Sequence, residues 1–493
     1  MSDTVPFALL VLLTSIAGLL AVLSNRLTAR LKVPTPALFL AAAAIAVRVV
    51  PDLHSPPERT VERIVTVALL CILFDGGLHI GWARFRSAAA PIASVGVLGT
   101  FLTTAAVAVL AHLAFGFGWY VAVLLGTAVA PTDPAVVFSV LGQREVSGRS
   151  GTVLEGESGA NDPVGIALMT SLLAAGGLGL GAFARVGGEF VLQMGVGTLV
   201  GVAGGRLLLV FIRRVPLPAE ALHPLRTLAC SLVLYGVATL AHGSGFLAVF
   251  VAGIALGDAR APYKREIERF HSALASLAEI VAFVVLGLTV DLDVLARTDV
   301  WAPGLVLGAG LAVVIRPALV GLCLLPVGLR RGERTFVLFA GLKGAVPILL
   351  GSFLLAAEVP DAERLYGIVV VVVAFSVVVQ GSLVPAAARL LHLPMRTIEP
   401  EPWALGVRLA EEPDVAGRAL FAVERPGVGV AVGVLPGLAH LGCAKRPFGR
   451  AKPAEIHEQS RFFVGHLFDA AELDVDDLED LDAEPEAPFE LSR

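Results

Sequence analysis

Thirteen apolar stretches, most of them roughly 17–25 residues long and bounded by charge, glycine or proline, restrict this chain to one kind of solvent. They lie near 5–24, 33–50, 61–80, 88–114, 117–142, 152–177, 187–212, 226–243, 245–258, 272–290, 300–326, 334–357 and 364–392. The ninth is short and parts from the eighth only at Gly243 and Gly245. In hydrocarbon such a segment satisfies its own backbone as a helix. Residues 1–393 therefore read as an all-α polytopic membrane region with about 13 transmembrane helices. Composition agrees: the chain is 56% hydrophobic and only 16% charged, against about 25% charge in an ordinary soluble domain.

Loop charge sets an expected orientation. Alternate connections on one side carry seventeen Lys and Arg, among them Arg26, Arg84, Arg149, Arg265 and Arg331. The other side carries five, Arg59, Arg63, Arg185, Arg297 and Arg364. The positive-inside rule then puts the N-terminus outside and the C-terminus in the cytoplasm, in the cytoplasmic (inner) membrane. No basic region precedes the first apolar run, so 5–24 reads as a retained span and not a cleaved signal. Of the four cysteines, Cys71, Cys230 and Cys323 fall in apolar runs and Cys443 outside them, which offers neither a disulfide framework nor a CxxC metal site.

Composition changes after Leu393. Residues 394–493 hold ten Lys and Arg against nineteen Asp and Glu, a net of −9. Residues 394–468 read as a small cytoplasmic domain. Residues 469–493, with eleven acids between Asp469 and Glu490, read as a disordered acidic tail.

The sixth apolar run contains GESGANDPVGI at 156–166, which places Glu157, Asn161 and Asp162 at membrane depth. A charge at a helix centre there costs about 2.5–3.5 kcal/mol even on lenient scales, so such groups mark ion or proton pathways. Ser158 and Asp162 are four apart and share a helix face, as do Glu157 and Asn161. Glu157 needs a partner to stay ionised, and Arg316 in AVVIRPAL is the intramembrane cation that suits it. Asp162 has no evident permanent partner, which is what a carboxylate alternating between a proton and a cation requires.

Two further runs are predicted to be broken. APTDPAVV sets Asp133 between Pro131 and Pro134, and GLKGAVPI sets Lys343 among Gly341, Gly344 and Pro347. Unwound backbone survives at membrane depth only against protein or a water-filled cavity. The two runs are seven spans apart and so run in opposite directions, as two halves of inverted topology would. Crossed breaks bring helix N-termini together and C-termini together. Asp133 suits the first and Lys343 the second, because each helix end carries about half a charge. Glu279 and His242 read as satisfied buried polar groups.

Taken together, FDGGL at 74–78, PTDP at 131–134, GESGANDPVGI, FLAVFVAGIALGD at 246–258, EIVAFVVLGL at 279–288, the Arg316-Pro317 pair and GLKGAVPI resemble the monovalent cation:proton antiporters of the NhaP/NHE branch, over residues 5–392. The resemblance implies an NhaA-like fold of two inverted repeats, a homodimer in lipid, and exchange of K+ or Na+ for H+ without a cofactor. It makes Asp162 the carrier carboxylate with Asn161 beside it. Ser158, Thr132 and Asp133 become cation contacts, Asp75 an acidic position near the site or a helix-end group, and Glu157 with Arg316 a structural ion pair. Lys343 stands where many sodium exchangers of this branch have Arg, and residues 403–450 hold a faint, shortened version of a cytoplasmic ligand-binding module; both lean toward potassium.

Two other classes compete. A monovalent cation channel or gated efflux pathway could use the same acids, although broken helices of opposite orientation suit alternating access better. A membrane-embedded hydrolase lacks its strings: there is no HExxH or GxGD, so the chain is not read as an enzyme, and nothing suggests a nucleic-acid partner.

Overall fold

A computed structural model of the chain describes residues 34–49, 56–141, 144–146, 149–393, 395–397, 418–425 and 428–436. The expected first span, 5–24, and the expected acidic tail lie outside these residues. Contacts divide the chain into a unit over Met1–Ile398 and another over Glu399–Arg493.

The first unit is helical. Its helices are α1 (Thr35–Val49), α2 (Glu58–Ala93), α3 (Gly99–Phe115), α4 (Trp119–Val129), α5 (Pro134–Leu141), α6 (Arg149–Ala175), α7 (Leu180–Arg214), α8 (Leu222–Leu240) and α9 (Gly245–Gly257). They continue as α10 (Lys264–Leu288), the single turn α11 (Leu292–Leu295), α12 (Thr298–Gly310), the short α13 (Gly321–Cys323), α14 (Arg331–Phe339), α15 (Ala345–Ala356), α16 (Ala362–Ala374) and α17 (Gly381–Leu390). Wider π-turns at Ser94–Leu98, Leu311–Val320 and Phe375–Gln380 join α2 to α3, α12 to α13 and α16 to α17. Among the described residues, five helical stretches are long and apolar enough to cross a membrane. The longest, Glu58–Phe115, joins two expected spans.

The connection expected between those spans is thus a kink and not a loop. Gly81 adopts φ 65° and ψ 165°, a conformation that a β-carbon would strain. The kink frees backbone donors in the next turn, and the Asp258 carboxylate accepts from Ala83 N at 2.5 Å. The split between the eighth and ninth spans falls where the two glycines put it, with α8 ending at Leu240 and α9 starting at Gly245.

The outer surface is apolar. Leu199 and Leu207 on α7 and Leu240 on α8 are 71%, 70% and 85% exposed, a surface that suits lipid and not water. Inside, the polar side chains that escape solvent concentrate around α6 and the two broken runs. They include Thr132, Glu157, Ser158, Asn161, Asp162, Arg316, Lys343, Ser376 and Gln380.

Two strand pairs complete the description. In the first unit β1 (Arg144–Val146), between α5 and α6, pairs antiparallel with β2 (Met395–Thr397) just beyond α17. In the second unit β3 (Arg418–Arg425) and β4 (Val428–Pro436) form an antiparallel hairpin with an irregularity near Val423 and Arg425.

Candidate functional site

Both predicted breaks are present, and each follows from its local sequence. The first run stops as α4 at Val129 and resumes as α5 at Pro134. Pro131 cannot donate to the helix ladder, whereas Pro134 at the first helical position loses a donor that would be unpaired anyway. The second run stops as α14 at Phe339 and resumes as α15 at Ala345, with Pro347 tolerated in the new first turn. The two unwound segments touch through their backbones: Asp133 N donates to Leu342 O at 2.8 Å.

Helix ends and charges meet in a consistent way. Lys343 Nζ donates to the carbonyls of Ala130 and Pro131, 2.8 and 3.0 Å away, at the C-terminal end of α4. Arg316 serves the C-terminal end of α14, giving Nε to Leu338 O at 2.9 Å and Nη2 to Val337 O at 3.2 Å. Carbonyls at helix C-termini lack partners and carry partial negative charge, so a buried cation there neutralises both deficits. Asp133 lies at the opposite kind of end, just before α5, and packs on the glycine that precedes α15. A β-carbon at Gly344 would collide with the Asp133 carboxylate, and one at Gly341 would collide with the Arg316 guanidinium.

Arg316 also reaches across to α6. Its Nη1 is 2.7 Å from Glu157 Oε1 and its Nη2 donates to Glu157 Oε2 at 3.0 Å, with both side chains almost completely buried. Such two-pronged geometry is what makes a desolvated pair tolerable.

The first break is held from α6. Ser158 Oγ donates to Thr132 O at 2.6 Å, and Asn161 Nδ2 donates to Thr132 Oγ1 at 2.7 Å. Glu157 Oε1 is 3.5 Å from the same hydroxyl. Three side chains of α6 thus converge on Thr132, and Ser158 joins the bracing set instead of facing Asp162 alone.

Asp162 differs from all of these. It is 8% exposed, and its Oδ1 has no hydrogen-bond partner among the described residues. Asp133 and Lys343 are its charged neighbours, one of each sign. The described structure does not bring Asp75 to this group by any direct contact it records. Asp75 instead accepts from Ser272 Oγ of α10 at 3.0 Å and lies 3.3 Å from His79 Nδ1.

Two readings change. Glu279 Oε1 is buried without a hydrogen-bond partner among the described residues and has Asp133 as a charged neighbour, so it does not read as a satisfied polar group there. Its only signal in the sequence was an acid opening an apolar run. His242 is exposed, with φ 59° in the turn that ends α8, so it is not a buried group at all. Ser376 and Gln380 were missed outright. Isolated hydroxyl and amide groups in a valine-rich helix give no charge or spacing signal.

Comparison with known proteins fits this geometry. Residues 11–390 match the family described as "Sodium/hydrogen exchanger, transmembrane". The K(+)/H(+) antiporter NhaP of Alkalimonas amylolytica is 37% identical over 336 residues, covering 67% of this chain and 57% of that protein. NhaP2 of Shewanella oneidensis, another K(+)/H(+) antiporter, is 34% identical over 390 residues, covering 77% of this chain and 66% of that one. The chain therefore spans less than two thirds of the length of either relative. Among solved structures, the sodium proton antiporter MjNhaP1 of Methanocaldococcus jannaschii at pH 8 aligns with a TM-score of 0.65 at 20% identity, covering 78% of this chain and 98% of that one, a likeness of fold. With its match running through both broken helices and the Asp162 segment, the chain belongs to the sodium/hydrogen exchanger family.

Proposed function

We propose that this protein exchanges a monovalent cation for H+ across the cytoplasmic membrane, with Asp162 as the shared proton and cation site. The observation that carries the reading is the buried Asp162 Oδ1, free of hydrogen bonds among the described residues, beside two broken helices. Desolvation favours a carboxylic acid and a bound cation favours a carboxylate, so one group can hold either ion but not both. That competition is the coupling. Asn161, Ser158, Thr132 and Asp133 supply the cation contacts, with Asp75 as a further acidic position near the site. Glu157 and Arg316 form the brace, and Lys343 is the charge of the helix crossing.

Potassium is the favoured cation, because two relatives, at 37% and 34% identity, are named K(+)/H(+) antiporters, with sodium as the alternative. The two breaks belong to inverted repeats that rock past one another. The protein works as a homodimer in lipid, with its N-terminus outside and its C-terminus in the cytoplasm. Residues 394–468 form a small cytoplasmic domain, to which the β3–β4 hairpin would contribute, and 469–493 an acidic tail.

The test is purified protein in liposomes with a trapped pH dye, challenged in turn with potassium, sodium, lithium and rubidium salts. Saturable, cation-dependent proton flux in either direction supports exchange. Flux that never saturates and ignores the opposing proton gradient would indicate a channel instead.

A further inference from the structure

We propose that Ser376 and Gln380 are positioning residues for Lys343, a two-residue clasp that fixes the second break and thereby the ammonium that faces the carrier site. The inference rests on the exchange reading and deepens it.

The clasp is continuous. Gln380 Nε2 donates to Phe339 O at 2.5 Å, the carbonyl of the last residue of α14. Gln380 Oε1 accepts from Ser376 Oγ at 3.1 Å, and Ser376 Oγ in turn accepts from Lys343 N at 3.0 Å. Two side chains of one neighbouring helix therefore tie both edges of the unwound segment 340–344. They are 3% and 5% exposed, so water does not compete for these bonds. The pair sits in the π-turn Phe375–Gln380 between α16 and α17. Such widened turns recur at functional sites, and residues four apart share a face.

Position passes from this clasp to the other break. With its backbone N held by Ser376, Lys343 extends its side chain to Ala130 O and Pro131 O, the end of α4. Lys343 and Asp162 are charged neighbours. Displacing the ammonium therefore changes the field at the carrier carboxylate although neither Ser376 nor Gln380 makes a recorded contact with Asp162. Ser376, Gln380, Lys343 and Arg316 also border a cavity of about 10 Å³. This is close to the smallest space that admits one water. Shortening Gln380 enlarges it, so water can satisfy Phe339 O and the fold can survive while registration is lost.

The experiment uses the full-length protein in liposomes as wild type, Gln380→Ala, Ser376→Ala and Ser376→Thr. Both alanine variants are expected to raise the half-saturating cation concentration about 3–10-fold and to move the pH–rate profile alkaline by about half a unit, because a displaced ammonium supports the ionised carboxylate less. Ser376→Thr, which keeps the hydroxyl, is expected to resemble wild type. In a Lys343→Gln background, Gln380→Ala should produce no further shift of the profile. Alanine variants that lose only melting temperature and maximal rate, with profile and half-saturation unchanged, would show a merely structural role and overturn the proposal. So would full additivity in the Lys343→Gln background. Cation-dependent thermal stabilisation on the same samples separates the two readings: stabilisation present in wild type and weakened in Gln380→Ala supports the clasp even without flux, in which case exchange fails alone. A wild type with neither property overturns both.

Discussion

The two broken spans share a device and differ in what closes them. The break between α4 and α5 is braced from α6, the helix that carries Asp162, through Ser158 and Asn161 on Thr132. The break between α14 and α15 is braced from elsewhere, by Arg316 at its carbonyl end and by Ser376 and Gln380 across its unwound segment. Motion of the helix that carries Asp162 therefore pulls on the first break through two hydrogen bonds to Thr132, whereas it reaches the second break through the Glu157–Arg316 pair. The signs differ for a physical reason. Lys343 and Arg316 each meet a helix C-terminus, where carbonyls want a cation, and Asp133 lies where α5 and α15 begin, at ends that want an anion.

The largest expected effect removes the group around which both breaks are arranged. Asp162→Asn keeps the volume and abolishes the titration, so cation-driven proton flux is expected to fall at least about 100-fold while insertion and melting behaviour are retained. Flux within severalfold of wild type would end the assignment of Asp162 as carrier.

The next effect separates the bracing of the breaks. Arg316→Met leaves Glu157 buried without its cation and the α14 carbonyls without donors, an expected loss of about 3–5 kcal/mol in detergent unfolding. Glu157→Gln is expected to cost less, because Arg316 keeps Leu338 O and Val337 O. The two losses should be strongly non-additive in the double variant. A charge swap should not rescue: Arg316→Glu would set a carboxylate against those two carbonyl oxygens. Additive losses would mean that Glu157 and Arg316 do not brace each other, and equal ones that the bonds of Arg316 to the α14 carbonyls add nothing.

A smaller effect probes the contact between the breaks. Gly344→Ala must displace the Asp133 carboxylate, because a β-carbon there has no room. The expected outcome is a loss of about 1–3 kcal/mol in stability together with weakened cation affinity. Gly76→Ala on α2, where a β-carbon meets nothing, serves as the control. An equal response at both positions would mean that the close approach at Gly344 is unimportant.

How much of this was legible in the sequence depends on the kind of signal. The breaks were legible because proline and glycine have fixed consequences for a helix, and the partner of Glu157 because two charges in apolar spans are costly apart. The continuity of α2 through Gly81 was not, since a charged stretch around Arg84 and Arg86 reads as a loop until the Asp258 carboxylate is seen to serve the kink. The company of Asp75 was equally hidden: His79 is four residues away on the same helix, but Ser272 is brought in by packing. Ser376 and Gln380 act through hydrogen bonds to backbone atoms, and sequence carries no record of which backbone atoms are left unpaired.

The smallest expected response, none at all, concerns charge movement. On α6 the residue beside Asp162, the proposed carrier, is Asn161, whose amide is committed to Thr132 Oγ1 and cannot titrate. Glu157 is held by Arg316, and Lys343 is held by two carbonyls. Asp162 is then the group free to alternate, and one proton should exchange for one monovalent cation. An uncompensated charge would respond to voltage by about 2.3 kcal/mol per 100 mV, which is far above what a flux assay resolves. Transport at fixed ion gradients should be indifferent to an imposed diffusion potential set by an ion that is not a substrate. Glu279, with a buried oxygen that has no hydrogen-bond partner among the described residues and Asp133 as its charged neighbour, is the group to suspect if that fails. A voltage-dependent end-point that disappears in Glu279→Gln would mean a second titrating carboxylate and a stoichiometry above one; a voltage-independent wild type leaves Asp162 as the sole carrier.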